Sequence, residues 1–152
     1  MGQKAISADW IDQVSGELDL RRKRNKAITN TIIQRARWLE DDDRQLILAM
    51  FRDGQSAQTI ARRFNLCPRK TRRRIKQLVS RLNDPRVAYV VEHHDHWSKS
   101  RRAIAHALFI QGQSMRDATD TLGVSFYSVR KHREAINAMC QASIKESIRT
   151  WR

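Results

Sequence analysis

RQLILAMFRDGQSAQTIARRFNLCPRKTRRRIKQL, residues 44–78, lies without a gap over RAIAHALFIQGQSMRDATDTLGVSFYSVRKHREAI, residues 102–136, at an offset of 58. Arg44/Arg102, Ala49/Ala107, Phe51/Phe109, Gly54/Gly112, Gln55/Gln113, Ser56/Ser114 and Arg72/Arg130 are identical. Apolar character matches at Leu46/Ile104, Met50/Leu108, Phe64/Leu122, Leu66/Val124 and Leu78/Ile136. Gly-Gln-Ser at the same internal position marks two copies of one supersecondary unit. Each copy predicts three helices. The first ends at Gly54 or Gly112, since glycine takes the left-handed conformation after a helix without a Cβ clash. Ser56 or Ser114 caps a second helix, which runs to Phe64 or Thr121. A turn follows, Asn65-Leu66-Cys67 or Gly123-Val124-Ser125. The third helix starts at Pro68, a preferred first-turn residue, or is capped by Ser125. Ile60, Ala61, Phe64 and Leu66 are expected to be buried in the first copy, and Ala118, Leu122, Val124 and Val129 in the second.

Outward from the repeat, the chain still reads as helix. Trp10, Ile11, Val14 and Leu18 fall at helical spacing with Ser7 as a cap, and Ile28, Ile32, Ala36 and Leu39 share one face of a second stretch led by Arg21 to Arg24 and Lys26. Glu40, Asp41, Asp42 and Asp43 read as caps and dipole partners for a helix opening near residue 44 rather than as a catalytic or metal cluster. Val87 to Val91 is the only strand candidate, and Asp84-Pro85 before it reads better as a cap and first helical position. Ala142 to Arg152 extends the last helix, with Ile144, Ile148 and Trp151 as a small apolar face for docking on the protein or a partner. The fold class is therefore all-α, two tandem three-helix units with an N-terminal helical extension. The segments are 1–43, the extension; 44–83, the first and basic unit; 84–97, a linker or helix; and 98–152, the second unit with its extended last helix.

The 152 residues carry 30 Lys plus Arg against 16 Asp plus Glu, a formal charge of +14, with 40% hydrophobic residues. That apolar share supports a packed core. No apolar run approaches the roughly 20 residues of a spanning helix, and MGQKAISADW has no apolar signal core, so a non-membrane, cytoplasmic and nucleoid-associated protein is expected. Two cysteines, Cys67 and Cys140, do not make a disulfide framework and are expected as small apolar core residues. The charge is concentrated. Residues 44–83 hold eleven Lys/Arg and one acid, Asp53, whereas residues 1–43 balance and residues 84–152 hold eleven Lys/Arg against seven acids. A basic block of this kind is the electrostatic footprint for a polyanion, with nucleic acid first and an anionic membrane surface second.

A short second helix, a turn with Asn or Gly and a longer third helix make a helix-turn-helix, in which the third helix projects into a DNA major groove. The exposed first turns of that helix would carry the contacts: Arg69, Lys70, Arg72, Arg73 and Lys76 in the first copy, with Arg62 and Arg63 of the second helix on phosphates. Arginine can pair bidentately with guanine or hold phosphate. The matching positions in the second copy are Phe126, Tyr127, Ser128, Arg130 and Lys131, a less charged and more aromatic face. The first copy is expected to carry most of the affinity; the second is either another DNA reader or a degenerate copy used for protein contact.

TLGVSFYSVRKHREAI resembles the turn and recognition helix of region 4 of bacterial sigma factors and of similar response-regulator DNA-binding domains, through its LGVS-x-x-x-V core. RQLILAM followed by DGQSAQTIARRF is similar to plasmid and fimbrial-operon regulators of the same superfamily. The sequence departs from the usual pattern at Asn65, Thr71, Thr119 and His132. The resemblance implies double-stranded DNA as partner, transcription regulation as function and RNA polymerase as a candidate protein partner. Two units could serve two half-sites as a monomer or four as a homodimer, and the sequence leaves both open.

His93, His94, Asp95 and His96 look like metal ligands, yet no cysteine pair or converging set supports a zinc site, so no metal or cofactor is expected. Trp10, Trp38, Trp97 and Trp151 are expected as core or interface anchors rather than base-stacking platforms. No acidic triad or nucleophile set is evident, so a non-enzymatic DNA-binding regulator is expected. The alternatives are a DNA-targeting or accessory module of a transposase or recombinase system, which would need a catalytic partner, and a non-specific nucleic-acid-binding or membrane-surface protein. RNA readers usually present aromatic platforms on sheets, and none is seen here. Arg69 to Lys76 has only Ile75 as an apolar residue, too little for a membrane-surface helix.

Overall fold

A computed structural model describes residues 25–150, and among them the fold is all-α with no strand. The Trp10–Leu18 helix, its Ser7 cap, the cations at 21–24 and Trp151 lie outside the described residues. Residues 25–35 are helical (α1) and pass through a 3-10 turn at Ala36–Trp38. Then come α2 (Asp41–Phe51), α3 (Ala57–Arg63), α4 (Pro68–Leu82), α5 (Pro85–His93), α6 (Lys99–Ala105), α7 (Met115–Leu122) and α8 (Phe126–Thr150). Helix α6 continues as a π-turn over His106–Ile110. The run Val87 to Val91 is helical, within α5, where Asp84 Oδ1 accepts the amide of Arg86 at 2.9 Å.

The two repeat copies adopt the same local geometry. Gly54 and Gly112 both stand at φ +67, and Asn65 and Gly123 both take positive φ, 53 and 64. Past each first helix the chain closes with the same long backbone bonds, Gln55 N–H to Ala49 O and Gln113 N–H to Ala107 O. Ser56 caps α3 through the amide of Thr59 at 3.1 Å. Ser114 caps α7 through the amide of Asp117, whose carboxylate reaches back to the Ser114 amide, a complete capping box. Ser125 Oγ accepts the amide of Ser128 at 3.1 Å and opens α8.

The first unit buries Leu46, Ile47, Ile60, Ile75, Leu78 and Leu82 together with Ile32, Ala36 and Leu39 from the N-terminal side, so the extension from α1 onward contributes to this core. Each large aliphatic side chain taken fully out of water contributes about 1.5–3 kcal/mol. The second unit buries Ile104, Ala107, Ala118 and Val129, joined by a further cluster in which Val87 and Val90 of α5 pack on Ala105, Phe109, Ile110 and Ile136. Helix α5 is thus a packed element between the units. Trp38 borders both cores and Trp97 borders the second, in keeping with anchor roles. Two arginines tie elements distant in sequence through carbonyls: Arg35 Nη1 donates to Leu82 O at 2.7 Å, and Arg81 Nη1 donates to Ile110 O at 3.0 Å.

Three expectations need correction. Leu66 is 46% exposed rather than buried; it belongs to the turn, and what holds it is its amide, bonded to Ala61 O at 2.7 Å. Cys67 is exposed, whereas Cys140 is buried as expected. Cys67 occupies the position just before α4, where the nearby backbone amides of Lys70 and Arg69 hold its thiol below the ordinary cysteine range. The acidic run does not precede a helix opening near residue 44. Asp41, Asp42 and Asp43 form the first turn of α2, and Glu40 before them makes no side-chain cap. Their charges still match the positive helix end, but Asp43 turns to Arg74, accepting from Nε at 2.8 Å and Nη2 at 2.6 Å.

Candidate nucleic-acid interface

Helix α4 has two faces by helical period. Thr71, Ile75, Leu78 and Leu82, at spacings of four, three and four, are buried. Arg69, Arg72, Arg73 and Lys76, at spacings of three, one and three, are exposed, with Lys70 beside them. Arg62 and Arg63 in the last turn of α3 are exposed as well. The short α3, the Asn65 turn and α4 therefore place all seven cations of the first unit's candidate set on the surface. None of the seven is ion-paired with a carboxylate among the described residues. Arg74 stands outside that set and is half-buried; among the described residues it is the cation of α4 that has an acid, Asp43.

This arrangement costs the isolated protein stability. Cations spaced by three or four residues along a helix repel by a few tenths of a kcal/mol per pair. Positive charge in the first turn also opposes the helix dipole, and α4 has no acid there. Pro68 supplies the fixed φ that starts the helix under this load. A polyanion laid against the face would reverse both costs.

In the second unit the corresponding face is different in kind. Phe126 is 44% exposed and Tyr127 73% exposed at the start of α8. Ser128 is half-buried, its amide held by Ser125. Arg130 and Lys131 are exposed, but Arg130 Nε donates to Glu134 Oε1 at 2.9 Å. Glu134 stands where the first unit has Lys76, so a repelling Arg72/Lys76 pair becomes an attracting Arg130/Glu134 pair. Behind the face, the inner pair Asp43–Arg74 is replaced by Arg101–His132, in which Arg101 Nε donates to His132 Nδ1 at 3.4 Å. Partial burial, then the charges of Arg101 and Lys131, hold His132 below the ordinary histidine range.

The histidine run does not gather. His93 Nδ1 pairs with Tyr89 O at 2.9 Å and its ring stacks on Tyr89 at 4.1 Å; His94 Nδ1 pairs with Val91 O at 2.9 Å. Among the described residues no three His, Cys, Asp or Glu side chains converge as metal ligands, and no helix is long and apolar enough to cross a membrane. Sequence reasoning misses Arg81 and Asp43, whose partners lie 29 and 31 residues away. No protein-family model, curated protein or solved structure matches this chain.

Proposed function

We propose that the protein binds double-stranded DNA sequence-specifically, with α4 as the principal recognition helix, and that it regulates transcription. The observation that carries this is the outer face of α4, where five neighbouring cations stand exposed without acids paired to them among the described residues, on the helix that the three-helix arrangement would present to a major groove. Arg62 and Arg63 then hold phosphates and fix register, while some of Arg69, Lys70, Arg72, Arg73 and Lys76 contact base edges. Tyr127, Ser128, Arg130 and Lys131 form a weaker second reader, in which Tyr127 contacts a thymine methyl or a phosphate. RNA polymerase is the protein partner this reading suggests, on the sigma-like residues of the second unit. A second reading, a DNA-targeting module for a recombinase, shares the same surface and differs only in the partner it recruits.

The test is selection from random duplex DNA with the full-length protein. An enriched motif, especially a bipartite motif, supports a specific regulator. Binding without any enriched motif would replace it with a non-specific packaging role, and no binding would end the DNA reading.

A further inference from the structure

Helix α4 carries the cationic face on its first turns and Arg81 on its last, and Arg81 reaches the other unit. Its Nη1 donates to Ile110 O at 3.0 Å, at the end of the π-turn that closes the first helix of the second unit. The guanidinium lies against Gly112 so closely that a Cβ there would overlap it. A cation at this point meets the negative end of a helix. Arg81 is half-buried, is paired with no carboxylate among the described residues, and is pushed below the usual arginine range by burial. Among the described residues the Ile110 carbonyl is its one hydrogen-bond partner. Gly54, which the repeat aligns with Gly112, has the same φ of +67 and open space where its Cβ would be. The contact therefore belongs to the junction between units and not to the unit itself.

We propose that Arg81, seated on Gly112 and Ile110 O, is the positioning residue that sets the angle between the two units and so the spacing of the DNA half-sites they accept. The half-site claim rests on the DNA reading above; the angle does not. Because α4 is one continuous helix, the groove-facing cations and the docking guanidinium move as one body.

The first arm uses no DNA. Spin labels at Gln77→Cys and Ala138→Cys, both exposed positions, in a Cys67→Ser/Cys140→Ala full-length background, report the distance between α4 and α8. A narrow distribution is expected for the parent protein, and a broadened or shifted one for Arg81→Ala, with partial recovery in Arg81→Lys. Gly112→Ala should shift the distance, while Gly54→Ala, equally strained in backbone but unobstructed, should not. With Arg81→Ala already present, Gly112→Ala should add nothing. The second arm uses selected half-sites at varied spacers. Because each added base pair rotates one half-site about the duplex axis, the parent protein should lose roughly tenfold in affinity for one or two extra base pairs. Arg81→Ala should flatten that dependence. Unchanged distances in both Arg81→Ala and Gly112→Ala would overturn the clamp. Altered distances with an unchanged spacer preference would overturn its role in spacing. If no DNA is bound at all, the spacing claim falls with the DNA reading, and the distance arm still decides the clamp.

Discussion

The first and second units share their turn and cap geometry and differ in the side chains they place on it. The glycines at 54 and 112, the serine caps at 56 and 114 and the left-handed residues at 65 and 123 correspond position by position in the repeat. Yet the outer face of α4 is a run of cations unpaired among the described residues, and the outer face of α8 is aromatic at its start and self-neutralised at Arg130–Glu134. Scaffold residues and face residues thus answer to different demands: the first to turn and cap chemistry, the second to what lies outside the protein. The first unit bears like-charge repulsion with no internal benefit, which is why we place the binding function there first.

The largest expected break in the comparison comes from its charged faces. Arg72→Ala or Arg73→Ala should each weaken DNA binding by about 1–3 kcal/mol if the side chain reads a base. Arg130→Ala should cost less, since Glu134 already occupies that guanidinium. Fluorescence anisotropy on one selected duplex measures both, and losses below ~0.3 kcal/mol at both Arg72 and Arg73 would remove α4 as the reader.

The inner faces can be exchanged as well. Thr71 and Val129 are equivalent and buried, but the Thr71 hydroxyl has no hydrogen-bond partner among the described residues. Val129→Thr should destabilise by about 1–3 kcal/mol, the cost of burying an unsatisfied hydroxyl, and Thr71→Val should stabilise. Urea unfolding decides it; a destabilised Thr71→Val would mean that the hydroxyl has a partner in solution.

Helix caps give a smaller contrast. Ser114→Ala should cost about 1 kcal/mol, and Ser56→Ala somewhat less, because only the second unit closes a reciprocal box, with Asp117. Equal melting-point shifts would show that the Asp117 arm adds nothing.

The smallest effect concerns pH. His132 has its folded pKa lowered by burial and by Arg101 and Lys131. Protonation is thus harder in the folded state, so its stabilising contribution is present above the unfolded value of 6.5 and is lost as pH falls through the lowered folded value. His132→Leu should flatten stability against pH in that window. If the slope is unchanged, another group is titrating.

The local chemistry of the fold is legible in the sequence. Gly54, Gly112, Ser56, Ser114 and Pro68 act on their own backbone, so their types give the element boundaries. The exposed cations of α4 are legible because helical period sorts them from Ile75 and Leu78. Leu66 and Cys67 mislead because an apolar side chain in a turn carries no signal of its burial. Asp43 reads as a local cap because its arginine is 31 residues distant. Arg81 is invisible for a stronger reason: its partner is a backbone carbonyl, which every residue has.

The measurement that tests the central claim most directly is the salt dependence of binding to a selected duplex, for the parent protein and for an Arg69→Gln/Arg72→Gln/Arg73→Gln variant. If about six phosphates are neutralised, log K against log salt should have a slope near −5 for the parent, shallower by roughly one for each phosphate contact the variant loses. A parent slope near zero, or a variant equal to the parent in both slope and affinity, would contradict the assignment of DNA binding to α4.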